Sequence, residues 1–507
     1  MMTRRKFSSL ALGAAAAQMV STFGFAKGTA AIDDLTSLTL TEAAAKIRSG
    51  EVTSLQLTQA CLDRIAIYDP KLDAFITIMK DMALGQAKQL DAEQKAGKLR
   101  GPLHGVPLAI KDIIDTAGLR TTGGSALFED RVPTEDATVV ARLRAAGAVI
   151  IGKTNTQEFA MGGGETSYWG PSRNPWNLAH NTGGSSSGSG AAIAAYLSFG
   201  ALGTDTGGSV RMPASYCGIV GLKPTYGLVP IKGIFPLTLS LDHCGPMTRT
   251  VADNALMLNV MAGYDKYDIT SVDHAKENYV AQLGQPVSGM RLGMPAGYFD
   301  NLNPEVAKAV YDAIGLLAKL SKGVTDVNLP AVTHLASLGT MGETIAFHEQ
   351  YYKNAANKYM LPERRRLQTA YENPPKAADY IRAKWELEMV RRKIDDAFTD
   401  FDLVVMPTQR ILPPLLDDLI KRAHDTKPID PMVTSNCTPF DIFGTPAISI
   451  PCGFSKDGLP IGLMIAGPHF SEGKVLALAQ AYERATDWHS RKPPLTPETA
   501  VPPVVKE

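Results

Sequence analysis

Gly183-Gly184-Ser185-Ser186-Ser187-Gly188-Ser189-Gly190 opens a stretch that crosses the apolar run Ala191–Leu202 and closes on Gly203-Thr204-Asp205-Thr206-Gly207-Gly208-Ser209, with Arg211 just beyond. Glycines let backbone approach a bound group closely and leave consecutive N–H groups free to point at it. Hydroxyls supply proton donors, proton acceptors and nucleophiles. Two flexible loops around a helix would have the same composition. What the rest of the chain contributes decides between linker and site.

Upstream, Gly101 to Asp112 is apolar almost without a break until it meets Lys111. A continuous apolar run reads as a strand buried on both faces, which carries Lys111 to the edge of the core or into it. Desolvation lowers a lysine pKa from about 10.4, so this amine is a candidate base. Gly147-Ala148-Val149-Ile150-Ile151-Gly152-Lys153-Thr154 has the spacing of a phosphate-binding loop. That loop needs a flexible turn between strand and helix. Here Ala148–Ile151 are the strand themselves, following a helix over Ala137–Ala146, so nucleotide binding is rejected.

The 507 residues suit one large α/β domain with insertions or two to three average ones. Lys+Arg and Asp+Glu balance at 51 each, which gives no basis for a nucleic-acid or anionic-membrane partner. At the N-terminus, Thr3-Arg4-Arg5-Lys6-Phe7, the small apolar run Leu10–Ala17 and Gly24-Phe25-Ala26 have the layout of a secretory signal of twin-arginine type. Residues 1–26 are therefore read as a signal peptide, 27–507 as the mature domain, and the location as periplasmic or secreted. No later stretch is long and apolar enough to span a bilayer. The five cysteines are widely spaced and odd in number, which argues for free thiols rather than a disulfide framework. The nine histidines are scattered without a ligand spacing, so neither a metal nor a cofactor is expected.

Along the rest of the chain, Thr39–Glu42 and Thr53–Gln56 read as capping boxes, with Asp69-Pro70 ending the second helix. Strands are expected at Phe75–Met79, Tyr216–Leu222, Gly227–Pro230, Met290–Met294, Asp402–Met406, Ala447–Pro451 and Ile461–Ala466. Asn303-Pro304 starts an amphipathic helix. Residues 333–399 are charged, helical in pattern and broken by Pro374-Pro375, and read as an insertion beside a substrate entrance. The architecture expected is a single large α/β domain, a mixed twisted sheet covered by helices on both faces.

Amide hydrolysis needs a nucleophile, a proton route and N–H donors for the developing oxyanion. Ser209, Ser185 and Lys111 supply candidates for the first two, and the Thr206–Ser209 backbone for the third. Gly184-Ser185-Ser186-Ser187-Gly188 also fits the G-x-S-x-G nucleophile elbow. An elbow follows a strand, whereas the residues before this one are turn-rich and polar.

These motifs together resemble the amidase signature family of serine hydrolases. The match runs through Gly105-Val106-Pro107 with Lys111-Asp112, Gly152–Asn155, Asn174-Pro175-Trp176, Gly183–Ser186, Gly203–Arg211, Gly218–Pro224, Gly245-Pro246-Met247 and Gly444–Gly467. The resemblance implies a Ser-cisSer-Lys triad, with Ser209 as acyl-forming nucleophile, Ser185 as the bridging serine on a cis peptide, and Lys111 as base. It implies an oxyanion hole at Thr206, Gly207, Gly208 and Ser209, with Asp205 and Arg211 bracing the loop. Met161 and Gly162 fall on a loop expected to wall the substrate pocket. Ser187 departs from the family pattern, which has glycine there. The implied activity is cleavage of a small amide, anilide or peptide amide. The alternatives are ester or carbamate cleavage and glutamine hydrolysis within an amidotransferase. A small-molecule amide is the implied partner, and a homodimer is left open.

Overall fold

The computed structural model describes residues 34–162, 167–332, 334–424 and 435–504; the signal-peptide reading lies outside them. Eleven strands form one sheet: β1 (Phe75–Ile78), β2 (Pro107–Lys111), β3 (Val149–Thr154), β4 (Gly200–Asp205), β5 (Val220–Lys223), β6 (His243–Thr248), β7 (Arg291–Pro295), β8 (Gly323–Val327), β9 (Leu403–Pro407), β10 (Ala447–Phe454) and β11 (Pro460–Ala466). Their order is β1-β3-β2-β4-β6-β5-β10-β11-β9-β7-β8. The sheet is mixed. β2 runs parallel to β3 and β4, whereas β4 pairs antiparallel with β6. Helices cover both faces, and a single α/β domain results.

Local chemistry explains most of the elements. Thr39 and Thr53 both form reciprocal capping boxes, opening α1 (Leu40–Ser49) and α2 (Ser54–Leu72). Asn303 accepts from Glu305 N–H ahead of Pro304, the first residue of the helix Pro304–Leu320. Lys153 lies inside β3, so the phosphate-loop look-alike is a buried strand.

Three expectations need correction. α2 continues past Pro70 to Leu72, because a single proline in the last turns costs little once Asp73 ends the helix in a left-handed conformation. Tyr216 and Cys217 are the end of a helix, Arg211–Cys217, and the strand begins only at Val220. Gly227–Pro230 is a turn rather than a strand: Leu228 N–H donates to Thr225 C=O, and Gly227 takes a positive φ of 79°. In these last two segments the apolar residues that suggested strands are buried by helix and turn, a distinction that a short apolar run does not carry.

Candidate active site

β2 and β4 lie side by side and parallel, so their carboxyl ends open on the same crevice. Lys111 ends β2 and Asp205 ends β4. Every residue of β2 is buried, as its apolar run dictates, and Lys111 is 0% exposed. Its Nζ lies 2.8 Å from Ser185 Oγ and 2.7 Å from Thr204 Oγ1. Burial pushes the Lys111 ammonium down to about 7, against the opposing charge of Asp205. The amine is thus poised to exchange a proton near neutrality.

Ser185 follows a cis peptide bond after Gly184 and is 1% exposed. Gln157 N–H donates to its carbonyl at 3.2 Å. A Cβ at Gly184 would lie 2.2 Å from Gln157 Nε2, so the amide end of Gln157 would have to shift to admit a side chain there. Ser187 is buried and starts the helix Ser187–Ala194, replacing glycine without entering the Lys111–Ser185 contact. The turn-rich segment before Ser185 carries only isolated bridges, Arg173–Asn181 and His180–Leu415, so the strand a nucleophile elbow requires is missing among the described residues.

Ser186 joins the two Gly/Ser clusters. Its N–H donates to Ser209 C=O at 3.3 Å, and its hydroxyl both donates to Thr204 C=O and accepts from Thr204 N–H. The stretch is therefore a helix and a strand, Gly200–Asp205, folded back on each other, with Ser209 half-buried beside Ser186.

Asp205 shapes the loop that carries Ser209. Its Oδ1 accepts from Gly208 N–H at 2.6 Å, and its Oδ2 from the N–H groups of Val210 and Arg211 at 3.1 and 3.3 Å. The Arg211 guanidinium closes on both oxygens at 3.0 and 2.9 Å and reaches Asp441 Oδ2 at 2.7 Å and Cys437 C=O at 2.9 Å. Burial alone would raise the Asp205 carboxyl, but the Arg211 charge and hydrogen bonds outweigh it and hold Asp205 well below the carboxylate range. Burial and the Asp205 charge drive the neighbouring Asp441 carboxyl well upward. The network braces the loop, the role expected of Asp205 and Arg211.

The oxyanion expectation is narrowed. Gly208 N–H is taken by Asp205, while the N–H groups of Thr206, Gly207 and Ser209 donate to no group among the described residues. Gly208 has φ +124°, and a Cβ there would meet Cys437 Cβ at 2.7 Å. It shapes the loop rather than offering its N–H.

A small cleft with a cavity volume of ≈ 10 Å³, about the space of one water molecule, lies beside Thr204 and Thr206. Ala160 lines it, whereas Met161 is buried next to it with its carbonyl clamped by Arg366 Nη1. Gly162 is partly exposed with a positive φ. The opposite wall is the segment 231–243, which the sequence reading missed. Thr204, Gln157 and Asp441 were missed too. Thr204 sat within the quoted glycine-rich run, two residues after an apolar stretch; Asp441 comes from a helix more than 200 positions away and gave no local signal.

The fold and much of the sequence are shared with known proteins. The amidase family model matches residues 56–476. A glutamyl-tRNA(Gln) amidotransferase subunit from Geobacter sp. (strain M21) is 40% identical over 490 residues, covering 91% of this chain and 100% of that protein. Its counterpart from Roseiflexus sp. (strain RS-1) is 41% identical, covering 92% and 99%. Among solved structures, the peptide amidase from Stenotrophomonas maltophilia superposes with a TM-score of 0.78 at 33% identity, covering 90% of this chain and 98% of that one. A 6-aminohexanoate cyclic dimer hydrolase does so with a TM-score of 0.81 at 29% identity, covering 91% and 99%. A buried lysine against a serine on a cis peptide, in a sheet shared with these proteins and under a family match spanning most of the chain, leads to one assignment: the chain belongs to the amidase signature family.

Proposed function

We propose that the protein hydrolyses the C–N bond of a small carboxamide through an acyl-enzyme on Ser209. The observation that carries this is the buried Lys111–Ser185 contact beside the Ser209 loop. Ser209 Oγ attacks the carbonyl carbon and gives its proton to Ser185 Oγ, whose own proton passes to the neutral Lys111 amine. The N–H groups of Thr206, Gly207 and Ser209 receive the developing oxyanion. As the C–N bond breaks, the proton returns through Ser185 to the leaving nitrogen, releasing ammonia or an amine and leaving an ester on Ser209. Water attacks that ester by the same relay and frees the acid.

A second reading is hydrolysis of glutamine to supply ammonia to a partner protein. The relatives at 40–41% identity support it more directly than they support the first. The peptide amidase and the cyclic dimer hydrolase among the solved structures support the first. Ester and carbamate substrates fit the same relay. Intact-mass spectrometry after mixing with amides, esters, carbamates and glutamine reads the answer directly. An adduct of acyl mass that maps to Ser209 is expected, and the substrate class that leaves it names the reaction. If no substrate leaves an adduct while turnover proceeds, the covalent route is wrong.

The basic and apolar layout of residues 1–26 supports export, which would separate the protein from a tRNA-dependent partner. Expression with its native N-terminus in a bacterium should yield mature protein beginning at Lys27 in the periplasmic fraction. Full-length protein confined to the cytoplasm would remove this argument against the glutamine reading.

A further inference from the structure

Most peptides of the loop Thr206–Ser209 are held in a fixed direction by their own hydrogen bonds. In a planar trans peptide the C=O and the N–H point opposite ways, so holding one aims the other. His243 Nδ1 faces the Leu241 and Asp205 carbonyls at 2.7 and 3.2 Å and therefore carries the proton; its hold on Asp205 C=O sets the direction of Thr206 N–H. Gly207 C=O accepts from Thr438 Oγ1 at 3.2 Å while Gly208 N–H donates to Asp205 Oδ1 at 2.6 Å, so that peptide is held at both ends. Gly208 C=O accepts from Met212 N–H at 2.7 Å, which turns Ser209 N–H the other way.

The peptide between Thr206 and Gly207 is different. Among the described residues no group donates to Thr206 C=O, and none accepts from Gly207 N–H. Its restraint comes from the Thr206 side chain, whose Oγ1 donates to Asp242 Oδ1 at 2.6 Å. Asp242 is buried and is itself immobilised: it accepts from Leu237 N–H at 2.9 Å and from Thr238 N–H at 3.0 Å. The turn that supplies those donors is tied to the helix Leu335–Ala355, where Thr344 Oγ1 donates to Leu237 C=O and Glu343 Oε2 accepts from Ser240 N–H, both at 2.8 Å. Burial pushes the Asp242 carboxyl up to about 6, against the Thr206 hydroxyl and the two N–H groups, so at neutral pH the carboxylate is the main form. A hydroxyl bonded to a carboxylate is held more tightly than one bonded to a neutral acceptor.

Resting on the acyl-enzyme reading, we propose that Asp242 is a positioning residue: through the Thr206 hydroxyl its carboxylate aims the Gly207 N–H at the developing oxyanion. Asp242 acts only through Thr206 and meets no reacting atom. Asp205 does the corresponding work on the far side of the loop, through Gly208, Val210 and Arg211, so two carboxylates hold the donor set between them. Removing one oxyanion donor outright lowers the chemical rate by about 10²- to 10³-fold. A donor that is present but misaimed retains part of that, so a loss of about 10- to 100-fold is expected in the chemical step, with little change in binding.

The probe is diisopropyl fluorophosphate: Ser209 Oγ displaces its fluoride, and the phosphoryl oxygen takes the place of the oxyanion. Intact mass of the purified full chain against time gives kinact and KI. Asp242→Asn and Thr206→Val should each lower kinact by about 10- to 100-fold and leave KI within about twofold. Thr206→Val keeps the Asp242 bonds to Leu237 and Thr238, so it reads the contact whether or not Asp242→Asn folds. Thr206→Ser, which restores the hydroxyl, should recover most of what Thr206→Val loses. The double variant should be no slower than the slower single one, because both substitutions cut the same tie. A Thr206→Val kinact within about threefold of the parent's, no recovery in Thr206→Ser, or losses that multiply in the double variant would overturn the role of Asp242 and leave the acyl-enzyme reading standing. Parent protein that stays unlabelled at Ser209 would overturn that reading, and the role of Asp242 with it.

Discussion

Amide turnover by Ser209→Ala protein is expected to fall by about 10⁶-fold, the scale on which nucleophile removal acts in serine hydrolases. That loss corresponds to about 8 kcal/mol of transition-state stabilisation. Its size follows from what the substitution deletes: the atom that forms the new bond, with no neighbour able to replace it. Ser185 is the nearest hydroxyl in the relay, but it is 1% exposed and held against Lys111 at 2.8 Å. Folding should survive. Ser209 is half-buried, and the loop is fixed by Asp205 through the backbone of Gly208, Val210 and Arg211 rather than through the Ser209 hydroxyl. A thermal midpoint close to the parent's, measured beside the activity, separates lost chemistry from lost structure. Activity above a few per cent of the parent in purified variant would remove Ser209 from the mechanism.

Lys111→Ala should lower kcat/KM by about 10³- to 10⁴-fold, the upper range for a positioned acid–base group. Alanine also opens a cavity in a fully buried slot, so Lys111→Met is the companion variant: it keeps most of the volume and removes only the amine. Both should lose activity alike if the amine is the base. The pH profile gives a second reading. With the Lys111 pKa pushed down to about 7 by burial, the neutral amine that accepts a proton is the minor form below that pH and the major form above it. For the parent enzyme kcat/KM should therefore climb with pH through about 7 and level off. In Lys111→Met that rise should vanish. A parent profile that falls with rising pH through the same region would mean that the charged form is the active one, and the base assignment would be wrong.

The order of the proposed catalytic groups can be read along the linear chain because each sits at a local signal. Lys111 ends an apolar run, Ser185 and Ser209 sit in glycine-rich clusters, and Thr39, Thr53 and Asn303 announce helix starts by their side chains. Such features depend on neighbours a few residues apart, and sequence carries them well. Gly208 shows where local reading stops. In sequence its N–H looked equivalent to those of Thr206 and Gly207; in the fold the Asp205 carboxylate takes it. Segments such as Gly227–Pro230 were misread for a related reason, since burial of a short apolar run does not specify the element that buries it.

What the sequence determined by itself was the inventory: which hydroxyls, which amine and which glycines lie in which order, and hence the family. The tertiary structure decided their use. Parallel pairing of β2 with β4 sets Lys111 beside Thr204, and the return of the chain after Ser187–Ala194 sets Ser186 against Ser209. Arg211 meets Asp441 across 230 positions, and the 231–243 wall meets Glu343 and Thr344 from a distant helix. Contacts across such separations depend on strand order and helix packing, which no short window of residues encodes. The cleft and its apolar lining therefore belong to the fold, while the proposed nucleophile and its proposed base were already written along the chain.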